Sequence, residues 1–234
     1  MTNYVLVHGA WAGGWIWRDM ADRLRALGHR VFTPTLTGLG ERSHLISPQI
    51  NLTTHVLDVT NVIKWEELSG VVLVGHSYGG MVITGVTEKV PAGAIRSIVY
   101  LDAFLPGNGQ SLTDLVGQTP PPGVVLSDPM PFPGAARQTS NEAEAWIARL
   151  VTPHPLGCLN EKLALTGGLD RIPIKTFVLA TGQMAGGAAV GPFARIADSM
   201  ASNPAWRIEK LACGHNTMIE MPDETLQVFL RASA

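Results

Sequence analysis

Apolar and polar positions change period repeatedly along the chain, and the changes divide it into short apolar runs alternating with stretches of helical spacing. Tyr4, Val5, Leu6 and Val7 make a run too short for a helix and read as a buried strand. Trp17, Met20, Ala21, Leu24 and Leu27 then recur at the spacing that turns one helical face to a core, and Gly28 stops the helix. Residues 30–33 return to a strand pattern that Pro34 ends. Asn51 stands where a cap is needed for a second helix, with Leu52, Val56, Val59 and Ile63 on one face. The same alternation continues with strands over 70–74, 94–101, 174–180 and 206–211 and helices over 80–90 and 192–201. A last helix lies behind Pro222, with Leu226, Phe229 and Leu230 on its apolar face. Strands separated by helices of this length predict an α/β fold, a parallel sheet wrapped by crossover helices.

Between 106 and 171 the alternation breaks. Prolines cluster at Pro120, Pro121, Pro122, Pro129, Pro131 and Pro133, and a helix follows over about 142–150. Long insertions in compact domains are more often lids than structureless loops, so 106–171 is expected to be a cap within a single domain spanning 1–234.

Composition narrows the field of partners. The chain has 234 residues, 46% of them hydrophobic and 15% charged, enough for one domain with a full core. A formal charge of -2 without long runs of one sign offers nothing to nucleic acid or an anionic membrane. A strand begins almost at once after Met1, with no signal-type segment and no apolar stretch long enough to span a bilayer. Cys158 and Cys213 form no C-x-x-C motif and are expected to be reduced thiols in a cytoplasmic protein. The oligomeric state stays open, with a homodimer as one alternative.

The chemistry concentrates at Gly75-His76-Ser77-Tyr78-Gly79, directly behind an apolar run and ahead of a helix. A G-x-S-x-G pentapeptide in that setting is a nucleophile elbow, a sharp strand-to-helix turn that exposes the serine hydroxyl. Serine needs a base and a carboxylate to act as a nucleophile, in the chain order serine, acid, histidine. His215, after the last strand and framed by Gly214 and Asn216, fits the base; His76 is occupied by the turn, and His8 shapes the first loop. The usual place for the acid, the loop after 174–180, has no carboxylate. Asp102, at the end of the strand that follows the elbow helix, is the candidate, with Asp198 in reserve. The oxyanion of a tetrahedral intermediate would be held by the N–H groups of Tyr78 and, in the glycine-containing loop 8–14, Ala10. No G-x-G-x-x-G, no Lys-Ser/Thr sequel and no paired histidine spacing is present, so neither nucleotide, metal nor other cofactor is expected.

With these parts in view the chain resembles the α/β-hydrolases, in the small esterase branch that includes plant methyl esterases and hydroxynitrile lyases. The resemblance is carried by residues 5–15, by Leu27-Gly28-His29-Arg30-Val31, by Gly75-His76-Ser77-Tyr78-Gly79-Gly80 and by Gly214-His215. It implies the α/β-hydrolase fold, Ser77 as nucleophile, His215 as base and the N–H groups of Ala10 and Tyr78 as oxyanion hole. The plant relatives carry an aspartate after the penultimate strand, where this chain has Gln183 and its neighbours. Some haloalkane dehalogenases place their carboxylate where Asp102 stands. Lyases of the branch typically have a threonine in the first loop and a lysine after the histidine; Ala10 and Asn216 disfavour that reaction here.

The expected activity is a serine carboxylesterase acting on small hydrophobic or aryl esters. Its pocket walls are expected from Trp11, Leu36, Tyr78, Phe104, Met184 and Met218, with Trp146 descending from the cap. The competing readings are a receptor-like hydrolase with slow turnover, and a perhydrolase or carbon–carbon bond hydrolase using the same residues.

Overall fold

A computed structural model describes residues 1–118, 129–133, 142–182 and 191–233. Its eight strands are β1 (Asn3–Val7), β2 (Arg30–Phe32), β3 (Val71–His76), β4 (Ile95–Leu101), β5 (Pro129–Met130), β6 (His154–Pro155), β7 (Ile174–Ala180) and β8 (Trp206–Leu211). Six of them form one sheet in the order β2-β1-β3-β4-β7-β8, with every pair parallel. The chain winds outward from β1 to β2, then crosses to β3 on the other side. In open sheets ligands bind beyond the carboxyl ends at such a reversal, here between β1 and β3.

The helices are α1 (Arg18–Ala26), α2 (Leu52–Trp65), α3 (Gly79–Thr87), α4 (Leu112–Leu115), α5 (Glu142–Leu150), α6 (Leu156–Asn160), α7 (Pro192–Met200), α8 (Thr217–Glu220) and α9 (Pro222–Ala232). Because side chains alternate across a strand, the sheet feeds two cores. Val5, Val7, Leu73, Ile98 and Phe177 pack with α2, α3 and α7, while Tyr4, Leu6, Val72, Val99 and Val178 pack with α1 and α9. Asn51 caps α2 by accepting from the Thr54 N–H at 3.0 Å. Every residue of α3 is buried, which explains a helix apolar all round.

One position of the α1 face differs from the sequence pattern. Leu27 is 54% exposed, because the chain has left α1 for a turn in which Gly28 takes φ 83. In α9 Leu226 and Leu230 are half-buried against the same core as Phe229, as expected, and Thr225, Val228 and Ala232 are buried beside them. The Thr225 hydroxyl donates to the Thr217 carbonyl at 3.0 Å, which gives this buried polar side chain its partner. A 3-10 helix over Gly40–Leu45 extends the loop after β2 and was not signalled by periodicity.

The segment between β4 and β7 carries α4, α5, α6 and the antiparallel pair of β5 with β6. The prolines at 120–122 lie outside the described residues. Among the described residues no helix is long and apolar enough to cross a membrane.

Candidate active site

Ser77 joins β3 to α3 with φ 54, a left-handed conformation that costs a non-glycine residue roughly 1–3 kcal/mol and persists only where neighbours enforce it. The enforcement is visible on both sides of the turn. The Ser77 carbonyl accepts from the N–H groups of Gly80 (3.0 Å) and Phe104 (3.1 Å), and the Ser77 N–H donates to the Leu101 carbonyl (3.3 Å). A Cβ on Gly75 would lie 2.7 Å from the Gly79 carbonyl oxygen, and one on Gly79 2.7 Å from that of Val7. The small residues of the pentapeptide therefore answer to close backbone approach.

Asp102 follows β4, is buried and has φ 43. Its Oδ1 accepts from the Ala180 N–H at 3.1 Å, and its Oδ2 lies 2.6 Å from His215 Nδ1. An imidazole that donates from Nδ1 to a carboxylate keeps the Nε2 lone pair free to take a proton. His215 is held from three directions. His76 Nε2 donates to its carbonyl at 3.0 Å, the Phe193 ring stacks on its ring at 5.3 Å between centroids with 5° between planes, and Gly214 anchors its loop by donating to Glu220 Oε2 at 2.7 Å. Burial keeps His76 neutral, its pKa well below the usual imidazole range. Asp198 is exposed on α7 and makes no part of this cluster.

The first loop brings up backbone donors. His8 Nε2 accepts from the Leu36 N–H at 3.0 Å, so its Nδ1 carries the proton and donates to the Gly9 carbonyl at 2.8 Å. Burial holds the His8 pKa down to about 3, so this tautomer is stable at neutral pH. The Gly9 carbonyl and the Ala10 N–H share one planar peptide, and fixing one end fixes the other. Among the described residues the N–H groups of Ala10 and Tyr78 have no backbone or side-chain acceptor. The Tyr78 hydroxyl donates to His55 Nδ1 at 2.9 Å, and His55 donates from its Nε2–H to the Thr37 carbonyl, also at 2.9 Å. Ligand-type atoms of His55, His154 and Cys158 lie within 4.8 Å of one another. The acceptor nitrogens of both histidines are engaged, His55 by Tyr78 and His154 by the Trp11 N–H at 3.2 Å, so the cluster is a hydrogen-bonded unit and not an open set of metal ligands.

Ala10, Ser77 and Tyr78 open on a cavity of about 700 Å³. Trp11 and Phe104 line it, as the sequence suggested, together with Leu112, Met130, Leu156 and Leu159 from the segment between β4 and β7. Three expected wall residues stand elsewhere. Leu36 is fully buried in the core, where its N–H serves His8; Met218 belongs to the core on the opposite face of the sheet; Trp146 packs edge-on against Trp15 at 5.0 Å. Met184 lies outside the described residues. Leu112, Leu156, Leu159 and Phe193 had no signal of their own, because their approach to Ser77 depends on the path of the insertion and of α7. Cys213 sits in the opposite core with its thiol pushed up to about 11 by burial, which leaves it no nucleophile at neutral pH.

Comparison with known proteins shows the family. A model of the alpha/beta hydrolase family matches residues 4–228. A carbendazim hydrolyzing esterase of Nocardioides sp. (strain SG-4G) is 41% identical over 239 aligned residues, covering 96% of each chain. Salicylic acid-binding protein 2 of Nicotiana tabacum is 38% identical over a shorter stretch, 44% of this chain and 40% of its own. An extracellular alpha/beta-hydrolase from a Paenibacillus species superposes with a TM-score of 0.77 at 26% identity, over 99% of both chains.

Proposed function

The chain belongs to the alpha/beta hydrolase family and is an esterase, and from that premise we propose that Ser77, His215 and Asp102 carry the reaction. The observation that supports the assignment best is the 2.6 Å contact between His215 Nδ1 and Asp102 Oδ2 beside the strained turn at Ser77. His215 Nε2 takes the Ser77 proton as Oγ attacks the ester carbonyl, and Asp102 stabilises the imidazolium that results. The N–H groups of Ala10 and Tyr78 hold the oxyanion. His215 then protonates the leaving alcohol, and water, activated by the same imidazole, releases the acid from the acyl-enzyme.

The cavity walls favour substrates with apolar or aryl groups, and the segment 106–171 serves as the cap that shapes them. The likeness to the carbendazim hydrolyzing esterase over nearly the full chain makes carbendazim the first named substrate to test. The same reading keeps the protein in the cytoplasm, which the free, buried thiols of Cys158 and Cys213 support.

Steady-state hydrolysis of short p-nitrophenyl esters and of carbendazim by the wild type and by Ser77→Ala tests the proposal. Turnover by the wild type and its loss in the variant are expected. Equal rates in the two proteins would remove Ser77 from the reaction.

A further inference from the structure

Ala10 and Trp11 form the inner edge of the loop whose N–H faces the reaction, and Trp11 has φ 62, a conformation that a residue with a side chain keeps only under constraint. The constraint comes from the segment between β4 and β7. The Trp11 N–H donates to His154 Nδ1 at 3.2 Å, its carbonyl accepts from the Thr152 N–H at 2.9 Å, and its indole N–H donates to the Met130 carbonyl at 3.0 Å. Phe132 closes the cluster, edge-on to the indole at 5.8 Å.

His154 is the unusual member. Accepting at Nδ1 obliges a neutral imidazole to carry its proton on Nε2, and that nitrogen is buried with no partner among the described residues. A buried donor left unmade is a cost to the fold, which an apolar side chain of similar size would avoid. The ring also packs edge-on against Tyr78 at 4.8 Å, so one imidazole touches a residue that supplies one proposed oxyanion donor and, through the Trp11 N–H, the residue that directly follows Ala10, which supplies the other. His8 already fixes the peptide plane before Ala10; His154 fixes the plane after it.

We infer that His154 is a positioning residue for the oxyanion hole, a strut from the inserted segment that holds the strained Trp11 peptide and thereby the direction of the Ala10 N–H. The inference rests on the esterase reading of Ser77, and it makes the inserted segment part of the machinery that stabilises the transition state as well as a wall of the cavity.

The test compares His154→Leu, His154→Asn and His154→Gln with the wild type on p-nitrophenyl acetate, with inhibition by phenylboronic acid, whose tetrahedral serine adduct uses the same donors. His154→Leu should lower kcat on the order of 10²-fold, the usual effect of losing one oxyanion donor, with KM within about threefold. Boronate inhibition should weaken in parallel, and Tm should stay close to that of the wild type because an orphaned donor has gone. Asparagine places its carbonyl oxygen near the Nδ1 position and should restore most of kcat; glutamine reaches the Nε2 position and should not. Should the leucine variant fail to fold, the asparagine and glutamine pair decides. Undiminished kcat in His154→Leu, or equal rates for asparagine and glutamine, would overturn the inference while leaving an active, Ser77-dependent enzyme intact. An inactive wild type would sink both readings together.

Discussion

Asp102 and His215 lie 113 residues apart in the chain and meet at 2.6 Å, one from the tip of β4 and the other from the loop that follows β8. The carboxylate is buried, and besides the imidazole it receives the Ala180 N–H, so its orientation is fixed from the backbone of β7. The strand after the elbow helix thus supplies the partner that the loop after β7 does not.

Removing that charge should be costly to the rate. Asp102→Asn keeps the shape but lets His215 adopt the wrong tautomer, and kcat for a p-nitrophenyl ester should fall by up to about 10⁴, the drop known for the equivalent change in the serine protease triad. A fall of less than tenfold would exclude Asp102 from the role.

Phe193 stacks on His215 and also meets Phe104 edge-on at 4.8 Å. Phe193→Ala removes the surface that limits the imidazole on that side. We expect kcat to drop about tenfold with a stability loss of about 1–2 kcal/mol, below the full cost of truncating a buried phenylalanine because the residue is only half-buried. Kinetics and denaturant unfolding measured together check this; unchanged kcat at full stability would leave the stacking without a functional part.

A Cβ on Gly80 would strike the Phe104 carbonyl. That carbonyl belongs to a residue whose N–H is bonded to Ser77, so it cannot withdraw without opening the elbow. Gly80→Ala should therefore destabilise the fold by about 1–3 kcal/mol, the usual range for overpacking. Thermal unfolding gives the answer, since this corresponds to a Tm lowered by several degrees in a chain of this size; an unshifted Tm would contradict the packing described.

Four histidines, His8, His55, His76 and His154, are buried and neutral, with pKa values lowered mainly by desolvation, to about 3 for His8 and about 4 for His55. Below the unfolded imidazole value near 6.5 the unfolded chain binds protons that the native chain refuses. Stability should thus be level above that pH and decline as pH falls from there towards 4, by about 1.4 kcal/mol per unit for each such histidine. Urea unfolding at pH 7.5 and 5.5 measures the slope, and identical midpoints would mean that these rings are charged or exposed.

The chain order of elements was legible because its signals are local. The apolar run 71–74, the small residues around Ser77 and the cap at Asn51 each act within a few residues, and each stands where expected. The apolar face of α9 was read correctly in Leu226, Phe229 and Leu230, which pack on one core, but the burial of Thr225 was not, because its partner is the Thr217 carbonyl and no hydrophobic period records a hydroxyl contact. The pocket walls were read only in part. Proximity in sequence to the chemical loops suggested Leu36 and Met218, yet strand alternation and loop direction send both into the cores.

The sequence by itself determined an α/β fold with an elbow at Ser77, since strand length, helix period and the steric need for glycine are properties of short segments. Tertiary structure alone decided which carboxylate reaches His215, which residues wall the cavity and what holds Trp11. Those relationships join β4 to β8 and the first loop to β6, and they depend on strand order and on hydrogen bonds between segments far apart in the chain.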